Sequence, residues 1–350
     1  MQYTQEYWND VASIINNIPN VERLYNKNIL VTGATGMVCS TVIDVISWLN
    51  KKRNAQVHLI LAGRSREKIE VRFKDVLGQD EYKFVKYDAT KSQKLEFKVD
   101  YIIHGASNAN PAIYAREPVE TLLGNIIGLN SVLEIAKNNP DSRTLYISSS
   151  EVYGNRTDGS NEPYKEDDYG FVDILNPRAC YPNGKRTAET LCATYRQEYG
   201  VDFVTVRLGH IYGPSITKAD TRASAAFTRD VAEGRNIVMK SAGNQLRSYC
   251  YTLDCASAIL AVLMNGKSGG AYNISNKDSI VSIRDMAEAL AKAGNVKVVF
   301  ENPSDAERKS YNLMNNSSLD SEKLEALGWR PAFGLVDGIE RTLMFIETKK

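Results

Sequence analysis

The sequence predicts an α/β protein built on a doubly wound parallel sheet. Three observations carry that prediction. Short apolar runs alternate with longer helical stretches over most of the chain up to Pro214. The runs, such as "NILVT" and "DYIIH", are continuously apolar rather than alternating, which marks strands buried on both faces. A glycine-rich turn, Gly33 to Cys39, follows the first run directly and opens a helical stretch.

The elements follow in order. Residues 4–24 read as a helix, with Trp8, Val11, Ile14, Ile15 and Ile18 on one side. "KNILVTGATGMVCSTVIDVISWL" reads as strand, turn and helix. "AQVHLILAGRS", "YKFVKYDAT" and "VDYIIHGAS" read as the second, third and fourth strands. A helix is expected over about 117–138, then a fifth strand in "RTLYISSSEVYG". Another helix contains Tyr181 and Lys185, and "VDFVTVRLGHIYGP" is the sixth strand. Beyond Pro214 the alternation becomes less regular. "GNQLRSYCYTLDCASAILAVL" predicts one more strand and helix returning to the main sheet. "SIRDMAEALAKAG" and "SSLDSEKLEALGW" predict helices outside it. No internal repeat or low-complexity linker is present. The expected division is an N-terminal helical extension (1–25), a nucleotide-binding domain (26–206 plus 248–275), and a smaller interleaved α/β substrate lobe (207–247 plus 276–350).

The chain has 350 residues, 43% hydrophobic and 24% charged, room for one large domain or two sharing a core. Lys+Arg 43 against Asp+Glu 42 leaves a net charge of +1, so nucleic-acid binding has no electrostatic support. The polar start "MQYTQEYWND" has no apolar signal core, and no stretch approaches the length of apolar run that spans a membrane. A cytoplasmic protein is expected. Cys39, Cys180, Cys192, Cys250 and Cys255 form no C-x-x-C pair and read as reduced structural thiols. His58, His104 and His210 make no ligand pattern, and no metal is expected.

The glycine turn points to a dinucleotide. Gly33 and Gly36 let the chain turn tightly and bring backbone N–H groups against a pyrophosphate at the helix N-terminus, as in a Rossmann-type fold. Cys39 stands at the third small position, where glycine or alanine is commoner; cysteine is still small enough for close packing. The second strand ends in Ala62-Gly63-Arg64-Ser65-Arg66, without the carboxylate that binds the ribose 2′-hydroxyl of NAD. Two arginines and a serine suit a 2′-phosphate, so NAD(P) is expected with a lean to NADP.

The fifth strand ends in Ser148-Ser149-Ser150-Glu151, and Tyr181 and Lys185 lie four apart on the next long helix, on one face. Removing a hydride from a secondary alcohol requires a base for its proton. A free tyrosine, with a pKa near ~10, is a poor base at neutral pH. A lysine ammonium and a cationic nicotinamide beside it would lower that value. Ser149 would hold the substrate oxygen, and Glu151 is a candidate second acid/base, the bland alternative being a carboxylate that bonds nearby amides.

With the glycine turn, "DYIIHGAS", "NIIG", "SSSEVYG", "CYPNGKRTAE", "RLGHIYGP", "LRSYCY" and "LGW" in this order, the sequence resembles the extended short-chain dehydrogenase/reductases that act on nucleotide sugars, over about residues 27–345. The resemblance implies a nucleoside-diphosphate sugar substrate and a homodimer through the helices around 117–138 and 178–199. It implies that Gly33, Thr35, Gly36, Met37, Val38, Arg64, Ser65, Asp88, Ala89, Gly105, Ala106, Ser107 and Asn125 bind the cofactor together with Tyr181 and Lys185. It places Ser150, His210, Arg247 and Arg308 on the substrate.

"SEVYG" with "CYPNGKRTAE" is most similar to UDP-glucuronate decarboxylases, which oxidise C4 and then lose carbon dioxide from the resulting β-keto acid. Their glutamate matches Glu151. The arginine of their R-x-F/Y motif, at the diphosphate end, matches Arg247. The 4,6-dehydratases and epimerases stay open as alternatives, though dTDP-glucose dehydratases carry Asp-Glu where this chain has Ser150-Glu151. A ketoreductase and a non-catalytic dinucleotide-binding regulator are the remaining readings. His210 departs from the usual asparagine of R-x-x-N-x-Y-G-P, and Arg64 and Arg66 depart from NAD-dependent decarboxylases.

Overall fold

The computed structural model describes residues 1–217, 219–304 and 314–347. The strands are β1 (Asn28–Thr32), β2 (His58–Gly63), β3 (Tyr82–Lys86), β4 (Tyr101–His104), β5 (Arg143–Ser149), β6 (Asp202–Leu208), β7 (His210–Tyr212), β8 (Ile237–Met239), β9 (Leu246–Tyr251), β10 (Ala271–Ile274), β11 (Ile280–Ser282), β12 (Val298–Phe300) and β13 (Asn316–Ser317). The helices are α1 (Gln5–Ile14), α2 (Met37–Arg53), α3 (Arg66–Phe73), α4 (Pro111–Arg116), α5 (Pro118–Lys137), α6 (Cys180–Tyr199), α7 (Ala223–Ala232), α8 (Thr252–Asn265), α9 (Ile283–Ala293), α10 (Glu322–Glu325) and α11 (Leu335–Phe345).

Seven strands make one all-parallel sheet in the order β3-β2-β1-β4-β5-β6-β10. The order reverses at β1/β4, where such sheets open a crevice at their C-terminal edge. Continuous burial of Ile29, Leu30 and Val31 explains their unbroken apolar run, because both faces are covered. One face packs α1, α2 and α8 around residues such as Ile46, Ile259 and Leu263. The other packs α5 and α6 around Leu129, Leu133, Ala188 and Cys192. All five cysteines are buried free thiols.

One expectation is overturned. The strand at 246–251 does not return to the main sheet. β9 lies at the centre of a second sheet, between β11 and β13 with β7 alongside, and the main sheet ends on β10. The cause is local. β7 continues the line of β6 past Gly209, where the chain runs so close to β9 that a Cβ would lie 2.8 Å from the Ser248 carbonyl oxygen. β9 pairs with this extension, and α8 starts at the very next residue and carries the chain to β10. Apolar composition alone cannot say which sheet a strand joins. The stretch 317–329 is also less helical than expected: β13 takes its start and α10 only four residues.

The N-terminal segment packs on its own subunit. Tyr3 and Tyr7 donate to the two oxygens of buried Asp44 on α2 at 2.9 and 2.8 Å, and Arg72 reaches the same carboxylate at 3.4 Å. Arg341 of α11 pairs with Asp10 at 2.9 Å. Tyr7 is buried where Trp8 is only partly so.

Candidate active site

The glycine turn is formed as its composition requires. Gly33 has φ +69°, and a Cβ there would meet the Gly105 carbonyl group and the Ala106 nitrogen at 2.8–2.9 Å. Gly105 is equally constrained, since its Cβ would lie 2.4 Å from the Cys39 sulfur. Cysteine at the third small position thus fits because a bare backbone faces it. The Gly36 position caps α2 without a side-chain bond, leaving the first amides of the helix for a pyrophosphate. Thr35, Met37 and Val38 complete this turn and first helical residues. Thr32 ties the next loop down: its hydroxyl accepts from Ala106 N at 3.2 Å and meets His104 Nδ1 at 2.8 Å. Ser107 donates to Asn125 at 2.9 Å, and Ala89 packs against Gly128 of α5.

At the end of β2 only part of the basic loop is free. Ser65 caps α3 through Lys68 N at 3.2 Å and donates to Glu67 at 2.6 Å. Arg66 turns to Glu70 at 3.9 Å and lies over Phe84. Arg64 is exposed and makes no ion pair among the described residues. Asp88 is engaged with Thr90 at 2.8 Å.

The Ser/Tyr/Lys set assembles at the C-terminal edge of β5. Ser149 ends that strand, its hydroxyl accepting from Glu151 N at 3.2 Å. It also opposes the rise in the Tyr181 phenol's pKa. Lys185, one turn further along α6, donates to Ile147 O at 2.7 Å and lies 4.9 and 5.8 Å from the rings of Tyr146 and Tyr181. Burial first, then the Glu151 charge, pushes Tyr181 up to about 12; Ser149, Arg222 and Arg178 oppose this. Burial pulls Lys185 down to about 7, with Glu189 and Cys39 opposing. Glu189 is itself fixed by Arg207 at 2.7 Å and by Ser148 at 2.5 Å, which anchors α6 to the sheet.

Glu151 has a partner that the sequence reading missed. Arg178 donates through Nη1 and Nη2 to its two oxygens at 3.0 and 3.1 Å. The same guanidinium lies 4.8 Å over the Tyr114 ring, which stacks on Tyr181 at 4.6 Å and 14°. The only available signal was position: Arg178 stands three residues before Tyr181 in "NPRACY". Ser150 is buried in the single helical turn that carries Glu151.

The second sheet supplies the opposite wall. Arg247 on β9 is buried, with Nη1 on Leu246 O at 2.7 Å and Nη2 on Met314 O at 3.0 Å. It has no carboxylate partner among the described residues. His210 faces Tyr249, paired with it in register, and its Nδ1 finds no partner among the described residues. Burial, then the Arg247 and Arg222 charges, hold His210 neutral, with its pKa well below the usual value. Arg222, which precedes α7 and pairs with Asp220 at 2.6 Å, reaches the Met37 sulfur at 3.7 Å and so links this wall to the glycine turn. Nothing in the sequence singled it out. Arg308 lies outside the described residues. A larger cavity of about 410 Å³ opens beneath the opposite edge of the sheet, but its arginines, Arg23 and Arg143, are spent on the carbonyls that end α8. Trp329 is a core residue, bonded to Ser257 at 2.9 Å. Among the described residues no cluster of metal-ligating side chains occurs.

Comparison with known proteins agrees with this geometry. The model of the NAD dependent epimerase/dehydratase family matches residues 29–275. UDP-glucuronic acid decarboxylase 6 of Arabidopsis thaliana is 30% identical over 317 residues, covering 90% of this chain and 87% of the relative. UDP-glucuronic acid decarboxylase 1 of Xenopus tropicalis is 30% identical over 322 residues, covering 91% and 72%. The Bacillus cereus UDP-glucuronic acid 4-epimerase, in complex with UDP-glucuronic acid and NAD, superimposes with a TM-score of 0.75 at 22% identity, over 91% of this chain and 98% of that one. The dTDP-glucose 4,6-dehydratase of Bacillus anthracis with NAD gives 0.74 at 20% identity, over 91% and 96%. At these identities the structural matches speak for the fold.

Proposed function

The chain belongs to the NAD dependent epimerase/dehydratase family, and from that membership we propose that it is a nucleotide-sugar decarboxylase acting on UDP-glucuronate. The observation that carries the reading is the convergence of Ser149, Tyr181 and Lys185 with a bidentate pair, Glu151 and Arg178, at one strand end. The first set suits oxidation at C4. The second pair has no use in a simple alcohol oxidation, and chemistry at C5, next to the oxidised carbon, would give it one.

The dinucleotide would be held by the Gly33–Val38 turn, Ala106, Ser107 and Lys185, and when bound it supplies the hydride acceptor and donor. The chain's own residues do the rest. Ser149 orients the substrate O4. Tyr181 takes the O4 proton and later returns it. In its charged form Lys185, 5.8 Å from the Tyr181 ring, would join Arg222 and Arg178 in favouring the ionised phenol, against burial and the Glu151 charge. Once C4 is a ketone, the electrons of the C5–carboxylate bond pass into the C4 carbonyl as carbon dioxide leaves. Ser149 and Tyr181 then hold the enolate oxygen until C5 takes a proton delivered from solvent, the one proton the net reaction consumes. Arg247 and His210 suit the diphosphate, a buried guanidinium without a carboxylate being a ready anion partner.

We propose NADP as the preferred cofactor, received by exposed Arg64. Ser65 would have to exchange Glu67 for the 2′-phosphate. We also propose a homodimer through the outer faces of α5 and α6, where Val119, Leu123 and Tyr199 are exposed. A 4,6-dehydratase is the second reading, favoured only by the presence of a carboxylate, Glu151, two residues after Ser149. Incubation with UDP-glucuronate, UDP-glucose and dTDP-glucose, followed by product mass, tests the reading. Loss of carbon dioxide from UDP-glucuronate supports it; loss of water or an unchanged mass from a neutral sugar, with UDP-glucuronate untouched, refutes it.

A further inference from the structure

The Arg178 guanidinium is only half used. Its end-on edge, Nη1 and Nη2, is spent on Glu151 at 3.0 and 3.1 Å. Its flank carries Nε–H, which is buried and has no acceptor among the described residues. A buried donor left without an acceptor costs free energy, so an idle one beside a cleft points to an acceptor that arrives with the ligand. The pair stands 10% and 16% exposed, close to fully desolvated. A cavity of about 60 Å³ opens beside it, lined by Glu151, Arg178, Asn155, Asn176, Phe171 and Met314. That is room for a few heavy atoms.

The shape of the missing group follows from the donors. The flank of a guanidinium presents two parallel N–H groups and matches a carboxylate side-on. The orientation is fixed before ligand arrives, because Glu151 holds one edge and the Tyr114 ring supports one face. Tyr114 in turn stacks on Tyr181, so this guanidinium is built onto the side chain that would take the O4 proton. Arg247, on the second sheet and without a carboxylate partner among the described residues, is the guanidinium assigned above to the diphosphate, which leaves Arg178 for a different anion.

We propose that Arg178 is the specificity-determining residue of this site: its Nε flank receives the C5 carboxylate of a hexuronic acid, while its other edge keeps Glu151 from repelling that carboxylate. The inference rests on the decarboxylase reading and deepens it. A uronate placed beside an unpaired Glu151 would meet like charge in a poorly hydrated site. With Arg178 between them, one cation serves two carboxylates. A neutral hydroxymethyl sugar would leave Nε unsatisfied, and a site with an unpaired buried donor rejects the analogue that lacks the partner.

The test is calorimetric titration of protein carrying bound cofactor, with Tyr181→Phe added to stop turnover, using UDP-glucuronate and UDP-glucose. The parent should prefer UDP-glucuronate by about 10-fold or more. Arg178→Met should weaken UDP-glucuronate by about 30-fold or more and UDP-glucose by less than about 3-fold. Arg178→Lys, which keeps charge but not the flank, should recover only part. The combination of Arg178→Met with Glu151→Gln separates direct contact from charge neutralisation. If Arg178 touches the carboxylate, the combination stays weak; recovery of UDP-glucuronate binding overturns the contact. Undiminished preference in Arg178→Met, or equal loss of both sugars, also overturns it while leaving the decarboxylase reading intact. Absence of preference in the parent overturns both. Melting temperature with cofactor verifies folding, and if the methionine variant does not fold, Arg178→Gln and Arg178→Lys carry the same comparison.

Discussion

Replacing Arg247 by methionine should make the empty protein more stable and its nucleotide-sugar complex far weaker. Arg247 is 3% exposed, and burial presses its pKa downward, with Tyr249 and Glu151 offsetting only part of that. It has two carbonyl bonds, to Leu246 and Met314, and no carboxylate partner among the described residues. Effective desolvation of a buried ion costs several kcal/mol. Two bonds from a charged donor return about 1.5–3 kcal/mol each at most. Methionine fills much of the same volume without a charge, and replacing buried ions by apolar side chains is commonly neutral or stabilising by about 1–4 kcal/mol. We take about 1–3 kcal/mol, because the two carbonyls lose their donors. At about 2.1 cal/mol/K per residue, a chain of this length gains roughly 1.4 °C in Tm per kcal/mol, hence about 1–4 °C. The ligand side has the opposite sign. Truncating one partner of a buried, hydrogen-bonded charge pair costs about 2–5 kcal/mol, or about 30-fold to over 1,000-fold in Kd for the nucleoside diphosphate. The assay is a thermal scan of empty protein beside calorimetry with UDP. A variant that melts several degrees lower, or that binds UDP as the parent does, would show that Arg247 braces the second sheet and does not hold the diphosphate.

Tyr181→Phe should lower turnover of the true substrate by about 100-fold or more with the fold unchanged, read by product mass and melting temperature; near-parental activity would remove Tyr181 as the base. For Lys185 the sign is set by a folded pKa of about 7 against an unfolded value near ~10.4. Between those values the unfolded chain holds the extra proton, so the burial penalty is full below pH 7 and fades as pH rises. Lys185→Met should therefore raise Tm more at pH 6.5 than at pH 9.5, and an equal gain at both would refute the assignment. Arg64→Ala should weaken NADP more than NAD by calorimetry, and Glu67→Gln should tighten NADP; a clear NAD preference in the parent would sink both expectations. Val119→Asp on α5 should shift the protein to monomer by light scattering if that face is the subunit contact, and an unchanged mass would move the contact elsewhere.

Much of this architecture is readable from the sequence because its cause is local. Ile29 to Val31 are apolar without interruption since both faces of β1 are covered. Gly33 is glycine because φ is positive and a Cβ would strike Gly105. Tyr181 and Lys185 are four apart because one helix must present both. What stayed hidden depends on which segments meet. β9 looks like any buried strand, and only the extension of β6 past Gly209 draws it into the second sheet. Arg222 reaches the glycine turn from a loop 185 residues away in sequence, as its contact with Met37 shows. The Ser65 hydroxyl could be counted toward a phosphate, but its bond to Glu67 appears only in three dimensions.

Arg178 shows how that hidden part bears on function. Read as a sequence, Glu151 is a lone carboxylate offering acid or base chemistry in either direction. In the fold both of its oxygens accept from one guanidinium, so neither is free to carry and hand on a proton while that pair holds. A carboxylate so occupied is poorly placed to protonate a leaving C6 hydroxide, the step a 4,6-dehydratase needs from an acid. Ser150, its neighbour in the same turn, is buried and carries no carboxyl to do so instead. Loss of carbon dioxide needs no acid at the departing group. It needs a C4 ketone, which Ser149, Tyr181 and Lys185 are placed to make, and a carboxylate held in one orientation beside it. Decarboxylation does need a proton at C5, but only after carbon dioxide has left, so the occupied carboxylate weighs against the dehydratase's departing-group step and leaves the later protonation to another donor.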